Sequence, residues 1–188
     1  WTPTVHLSSQ SGNKLKFDEK INAFIPGQSR QNESATGSAK GSFTLKQSLE
    51  DGFNKGYELS NKITEKNKKS IIPTSNERSY TQHDKFWCMP LPKNKHYKRC
   101  VDFQNDVYVS DIELAVREGF RSIEHVKRYT TLGMATDQGK TSNLNGLQLV
   151  SNIENKIVPE VGHTTFRPPY TPVTIGAIVG REVGKHYR

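Results

Sequence analysis

"SDIELAVREGFRSIEHVKRYT", residues 110–130, sets the frame for the rest of the chain. Ser110 with Glu113 has the spacing of a capping box, in which a hydroxyl and a carboxylate satisfy the first free amides of a helix. Ile112, Leu114, Ala115 and Val116 supply an apolar stripe, and Gly119 stands where a helix end takes a left-handed residue. Ser122 is placed to cap a second helix, with Ile123, Val126 and Tyr129 as its buried face and Gly133 as its close. The spacing predicts two helices joined by a tight turn. A helix-turn-helix DNA reader shares this outline, with Arg121, Lys127 and Arg128 on or beside the second helix. Against it, the first turn of that helix offers Ile123 and Glu124, an apolar and an anionic side chain facing phosphates that would repel the acid.

Immediately downstream, "KRYTTLGMATDQGKTSN" (residues 127–143) contains a Gly-Lys-Thr. A phosphate loop of the Walker type needs glycine, four residues, then Gly-Lys-Ser/Thr, in a turn that leaves a strand and opens a helix. Here five residues separate Gly133 from Gly139, and a helix comes before them, so nucleotide hydrolysis is not indicated. Gly139 can still let backbone amides point at an anion, with charge from Lys140 and donors from Thr141, Ser142 and Asn143. A simple capped helix start explains the same residues. "TSNLNGLQLVSNI" predicts a third short helix. The tail "PEVGHTTFRPPYTPVTIGAIVGR" reads as extended, because Pro168, Pro169 and Pro172 oppose regular helix.

Upstream, residues 1–33 alternate short apolar pieces, "PTVHL" and "INAFIP", with turn residues, which predicts strands and hairpin-like turns. Residues 34–56 run from small residues through Gly37 and Gly41 into the helical spacing of Phe43, Leu45, Leu49 and Phe53, so the expected order is strand, glycine turn, helix. Residues 57–85 are rich in lysine, serine and asparagine and read as a mobile linker. "FWCMPLPKNKHYKRC" reads as an extended strap laid over another surface.

The 188 residues carry 27 basic and 19 acidic side chains, a formal charge of +8, with 32% hydrophobic residues and a mean hydropathy of -0.75. That is lean for a self-sufficient core, and the charge suits nucleic acid, a phosphorylated cofactor, an acidic partner, or simply solvation. Cys88 and Cys100 have no second pair, which argues against a disulfide framework or a metal knuckle and for a reducing compartment. His6, His83, His96, His125, His163 and His186 show no metal-ligand spacing, so no metal is assigned and each reads as a surface or packing residue. No apolar run is long enough to span a bilayer, and neither an initiator Met nor a signal peptide precedes Trp1. The expectation is a fragment of a longer cytoplasmic chain, of α+β class.

"CVDFQNDVYVSDIELAVREGFRSIEHVKRYTTLGMATDQGKTSNLNGLQLV" together with "PEVGHTTFRPPYTPVTIGAIVGR" closely resembles the alpha subunits of heterotetrameric sarcosine oxidases. "WTPTVHLSSQSGNKLKFDEKINAFIPG" and the glycine turn at residues 35–41 resemble the preceding cofactor-binding domain of the same subunits. "SATGSAKG" is also similar to the last strand-to-helix turn of dinucleotide-binding flavoproteins, which implies cofactor contacts at Gly37, Ser38 and Gly41; Ser38 stands where those proteins usually have an aspartate. The implied organisation is the C-terminal part of a dinucleotide-binding domain over residues 1–56, a linker and strap over 57–100, a small helical domain over 101–150, and over 151–188 an extended connection into a folate-binding domain similar to aminomethyltransferases.

The resemblance implies an oxidoreductase that demethylates sarcosine to glycine, passes the one-carbon unit to tetrahydrofolate and reduces oxygen to hydrogen peroxide. It implies FAD in the beta subunit, FMN at the alpha-beta interface, NAD in the alpha subunit, and beta, gamma and delta subunits as partners, with no nucleic acid and no membrane. A non-catalytic connector between catalytic domains is the alternative within the same family. The catalytic residues are expected outside residues 1–188.

The helical domain is also similar to bacterioferritin-associated ferredoxin domains, whose cluster cysteines fall here at Asp102, Gln104, Asp137 and Ser142. Oxygen and nitrogen donors are poor substitutes for thiolate at iron-sulfur corners, so no cluster is expected. The remodelled loop "ATDQGKTSN" is then implied to face FMN: Gln138, Gly139, Lys140 and Thr141 are expected beside Thr165, Arg167 and Tyr170 as one wall of that site.

Overall fold

The computed structural model describes residues 1–64, 71–76, 85–92, 97–168, 171, 173–181 and 184. In chain order the elements are α1 (His6–Gln10), β1 (Leu15–Asp18), β2 (Ala23–Pro26), a 3-10 turn (Gly37–Lys40), α2 (Leu45–Thr64), β3 (Cys100–Asp102), β4 (Val107–Tyr108), α3 (Val109–Arg117), α4 (Ile123–Thr130), α5 (Asn143–Glu154), α6 (Val158–Val161) and α7 (Ile175–Val179). Two two-stranded antiparallel sheets accompany the helices, β1 with β2 and β3 with β4. The class is mixed α and β.

The predicted helix pair forms α3 and α4, and its apolar stripe builds the core: Ile112, Ala115, Ile123 and Val126 are buried against Leu147 and Val150 of α5. Gly119 takes φ +96° after α3, as the spacing requires. Three details differ. The start of α3 is fixed by Asp111, whose carboxylate accepts the Tyr108 amide at 2.8 Å, rather than by Ser110 and Glu113. The cause is β4, which ends at Tyr108 and hands directly into the helix. The close of α4 falls at Thr131, φ +65°, ahead of Gly133. Tyr129 is exposed and lies against Phe120, ring centroids 4.7 Å apart, instead of facing the core.

The hairpin of β3 and β4 was not anticipated. Val101, Val107 and Val109 are buried around a turn in which Asp102 Oδ1 accepts the amides of Gln104 and Asn105 at 2.9 and 3.4 Å. Such an Asx-type turn needs only one well-placed carboxylate.

At the N-terminus "INAFIP" contributes β2 as expected, and Phe17 pairs directly across the hairpin with Phe24, rings edge to face at 5.2 Å. "PTVHL" forms no strand: His6 opens α1, whose end is tied by the Ser11 hydroxyl donating to the Ser8 carbonyl at 2.9 Å. No strand runs into the glycine turn, since β2 stops at Pro26. The helix after the turn begins at Leu45, where the Thr44 hydroxyl accepts the Gln47 amide at 3.2 Å and the Gln47 side chain accepts the Thr44 amide. α2 continues to Thr64, so the stretch expected to be linker from residue 57 starts as helix. Lys55 and Lys62 flank Glu58 at 2.7 Å each, and such i,i+3 and i,i+4 pairs extend an exposed helix. The remainder of that stretch and of the strap lies partly outside the described residues; within them, residues 71–76 and 85–92 have no helix or strand. Cys88 packs against the core and accepts from the Arg99 guanidinium at 3.2 Å.

The tail is extended over residues 162–168, but one-turn helices bracket it as α6 and α7. Proline at the start of α6 is compatible with helix, because the first amides have no partner to lose.

Candidate functional site

The loop between α4 and α5, the β3–β4 hairpin and the extended tail converge at one end of the helical unit. Asp102 joins the hairpin to the loop and the start of α5. It is 2% exposed; its Oδ2 accepts the Gly133 amide at 2.7 Å and the Ser142 hydroxyl at 3.3 Å, while Oδ1 holds the hairpin turn. Of the four positions implied for cluster ligands, Asp102 and Ser142 therefore touch directly. Gln104 reaches the loop through the Thr136 hydroxyl at 3.4 Å. Asp137 turns to its own loop, accepting the Gly139 amide at 3.0 Å and the Thr141 hydroxyl at 3.1 Å. Among the described residues no group of three or more His, Cys, Asp or Glu could hold a metal ion. A hydrogen-bonded carboxylate thus joins the β3–β4 hairpin to Gly133 and Ser142.

Loop and tail meet through Gln138. Its carboxamide donates to the Arg167 carbonyl and accepts the Arg167 amide, both at 2.8 Å, so a side chain mimics a strand neighbour. One turn of chain away, the Thr165 amide donates to Glu124 Oε1 at 3.0 Å. Burial alone would push the Glu124 carboxyl up; the Thr165 amide and the Arg128 guanidinium, 2.6 Å away, outweigh it and hold it below its ordinary value. The tail is thus tied to a side chain in the first turn of α4. Of the residues expected as one wall, Gln138 pairs with Arg167 while Thr165 bonds to Glu124 of α4, and Lys140 and Arg167 are exposed to solvent. Tyr170 lies outside the described residues.

The expected cofactor contacts at Gly37, Ser38 and Gly41 stand apart from this loop. There the Gly41 amide donates to the Ser38 carbonyl at 3.2 Å and the Ser42 amide to the Gly37 carbonyl at 3.1 Å. Thr36, Ala39 and Lys40 of the same turn line an open groove of about 900 Å³ with Glu33, Asp51 and Lys55.

A second cavity, of about 160 Å³, opens between the N-terminal segment, the β1–β2 hairpin, the start of α5 and the tail. His6 and Phe166 lie in its wall with ring centroids 3.6 Å apart, and Phe24 meets His163 edge-on at 5.4 Å. Nothing in the sequence signalled this cavity, because its walls come from both ends of the chain, from Thr2 to Phe166. His6 is buried, and its pKa falls from an ordinary 6.5 to about 4, first through desolvation and then through the Lys140 ammonium. The folded chain therefore resists a proton that the unfolded chain accepts between pH 6.5 and about 4. Stability is complete above pH 6.5 and declines as pH falls through that window. Urea midpoints at pH 7 and 4.5 should differ less in His6→Gln than in the parent; an unchanged difference would count against a buried neutral His6.

No helix among the described residues is long and apolar enough to cross a membrane. Residues 96–181 match the sarcosine oxidase A3 domain. Over 187 residues the chain is 36% identical to the sarcosine oxidase subunit alpha of Rhizobium meliloti (strain 1021), covering 99% of this chain and 19% of that protein. It is 34% identical over 200 residues to the sarcosine oxidase subunit alpha of Corynebacterium sp. (strain U-96), covering 98% and 20%. The chain thus spans about a fifth of the length of these curated relatives. A crystal structure of L-proline dehydrogenase from P. horikoshii superposes with a TM-score of 0.66 at 19% identity, over 93% of this chain and 37% of that one, a likeness of fold.

Proposed function

The chain belongs to the sarcosine oxidase alpha-subunit family, and from that premise we propose that it is the part of such a subunit that forms one wall of an FMN site at the interface with a beta subunit. The proposed whole reaction is oxidative demethylation of sarcosine to glycine, with the one-carbon unit passing to tetrahydrofolate and oxygen reduced to hydrogen peroxide. FAD in the beta subunit, NAD in the alpha subunit, gamma and delta subunits, and a cytoplasmic location complete the proposal. Residues 1–56, with Gly37, Ser38 and Gly41, are assigned to the dinucleotide-binding part, and residues 151–188 to the lead into a folate-binding domain.

The observation that carries the reading is the pairing of Gln138 with both backbone groups of Arg167, which fixes the tail two residues from Lys140. Two exposed cations then stand on segments whose backbones are tied together, a donor set suited to an anionic phosphate. Asp137 braces the loop by accepting from Gly139 and Thr141, so the loop keeps its shape without a ligand. FMN, when bound, would supply one-electron and two-electron transfer between amine oxidation and oxygen. The protein's part is to hold its phosphate end and to place positive charge where reduction builds negative charge.

In the assembled protein, Lys140→Ala and Arg167→Ala are expected to lower FMN content or shift its potential downward, whereas Lys62→Ala at the end of α2 should do neither. FMN content and potential equal to the parent in both loop and tail variants would remove the wall from the site.

A further inference from the structure

We propose that the 160 Å³ cavity beside α5 is a separate binding site for a single aromatic ring carrying a carboxylate, a benzoate-sized ligand. The size sets the ring count, since an apolar cavity of about 150 Å³ is enough for one benzene ring and too small for a fused tricyclic. Val5, Leu15, Phe24, Leu147 and Phe166 give it an apolar, partly aromatic wall. Aromatic faces and edges around a ring favour stacked and edge-on contacts over an aliphatic filler.

The charge is one-sided. His6 is 5% exposed and carries no charge at neutral pH, so the inner wall presents an uncharged ring plane held against Phe166. Lys140 also lines the cavity and is exposed, so a cationic side chain borders it on the solvent side. A ligand that fills the interior with a ring and leaves an anion on that side satisfies both. A carboxylate joined directly to the ring adds less bulk than a phosphate ester to a cavity of this volume, and Lys140 supplies a cation in its wall. The site does not depend on the FMN reading, although it shares Gly139 and Lys140 with the proposed wall.

The test is titration of the full-length protein with benzoate, benzamide and acetate by calorimetry, alongside FMN content. Benzoate should bind saturably, benzamide about fivefold more weakly for loss of one partly exposed ion pair, and acetate not at all. Lys140→Ala should bring benzoate down to the benzamide level. Leu144 also lines the cavity, and Leu144→Phe, which enlarges that part of the wall, should abolish binding of both while leaving FMN content and the melting temperature near the parent's. Benzoate that binds no better than acetate, or that binds Leu144→Phe undiminished, overturns the proposal. Benzoate that displaces FMN stoichiometrically also overturns it, by making the cavity part of the flavin site.

Discussion

Asp102→Ala should lower the stability of the helical unit by about 3 kcal/mol, roughly 10 °C in melting temperature for a chain of this size. The carboxylate is 2% exposed and accepts from two amides in its own hairpin, from the Gly133 amide and from the Ser142 hydroxyl. Hydrogen bonds to a charged acceptor are the stronger kind, and truncation leaves the buried Gly133 donor without a partner. Asp102→Asn keeps the shape but turns an amide donor toward either the hairpin or Gly133, so it should lose about half as much. Thermal melts of the two variants decide the matter. If both lie within about 0.5 kcal/mol of the parent, the carboxylate is not what joins hairpin, loop and α5.

The helix pair was legible in the sequence because its signals are local. The stripe from Ile112 to Val126 and Gly119 act within a few turns of chain, and the core they form is the one observed, whereas Ser122 stands at the start of α4 without a side-chain cap bond. The exact cap was not legible, since Ser110, Asp111 and Glu113 all offer capping oxygens and only the length of β4 selects Asp111. "PTVHL" shows the limit of short apolar runs, which look alike as strand or helix until the partners of Val5 and His6 are known. The resemblance set Gln138 beside Arg167, but the chemistry of that contact was not legible. The contact is one carboxamide pairing with backbone, where exposed donors alone were anticipated. The cavity around His6 and Phe166 was beyond reach, because no periodicity links residue 6 to residue 166.

The second large effect lies at Gly139. It takes φ +72°, and a Cβ there would stand 2.1 Å from the Asn143 side-chain oxygen; Gly133, at φ +67°, would meet the same atom at 2.2 Å. The Asn143 carboxamide is thus seated between two glycines, buried, and donating to the Gln138 carbonyl at 3.1 Å. Gly139→Ala should therefore cost about 1–2 kcal/mol for the left-handed backbone and a similar amount for displacing the amide, about 3 kcal/mol in all. The two parts are separable. In an Asn143→Ala background the steric part has nothing to displace, so Gly139→Ala should then cost only its backbone share, a coupling of about 1 kcal/mol or more. Because the displaced amide also holds the Gln138 carbonyl, Gly139→Ala in the assembled protein should loosen the Gln138–Arg167 pairing and reduce FMN content, while Gly119→Ala, with φ +96° but open space around its Cβ, should cost stability alone. Additive costs in the Gly139 and Asn143 double variant, or equal FMN content in Gly139→Ala and Gly119→Ala, would show that the glycines serve only the backbone turn.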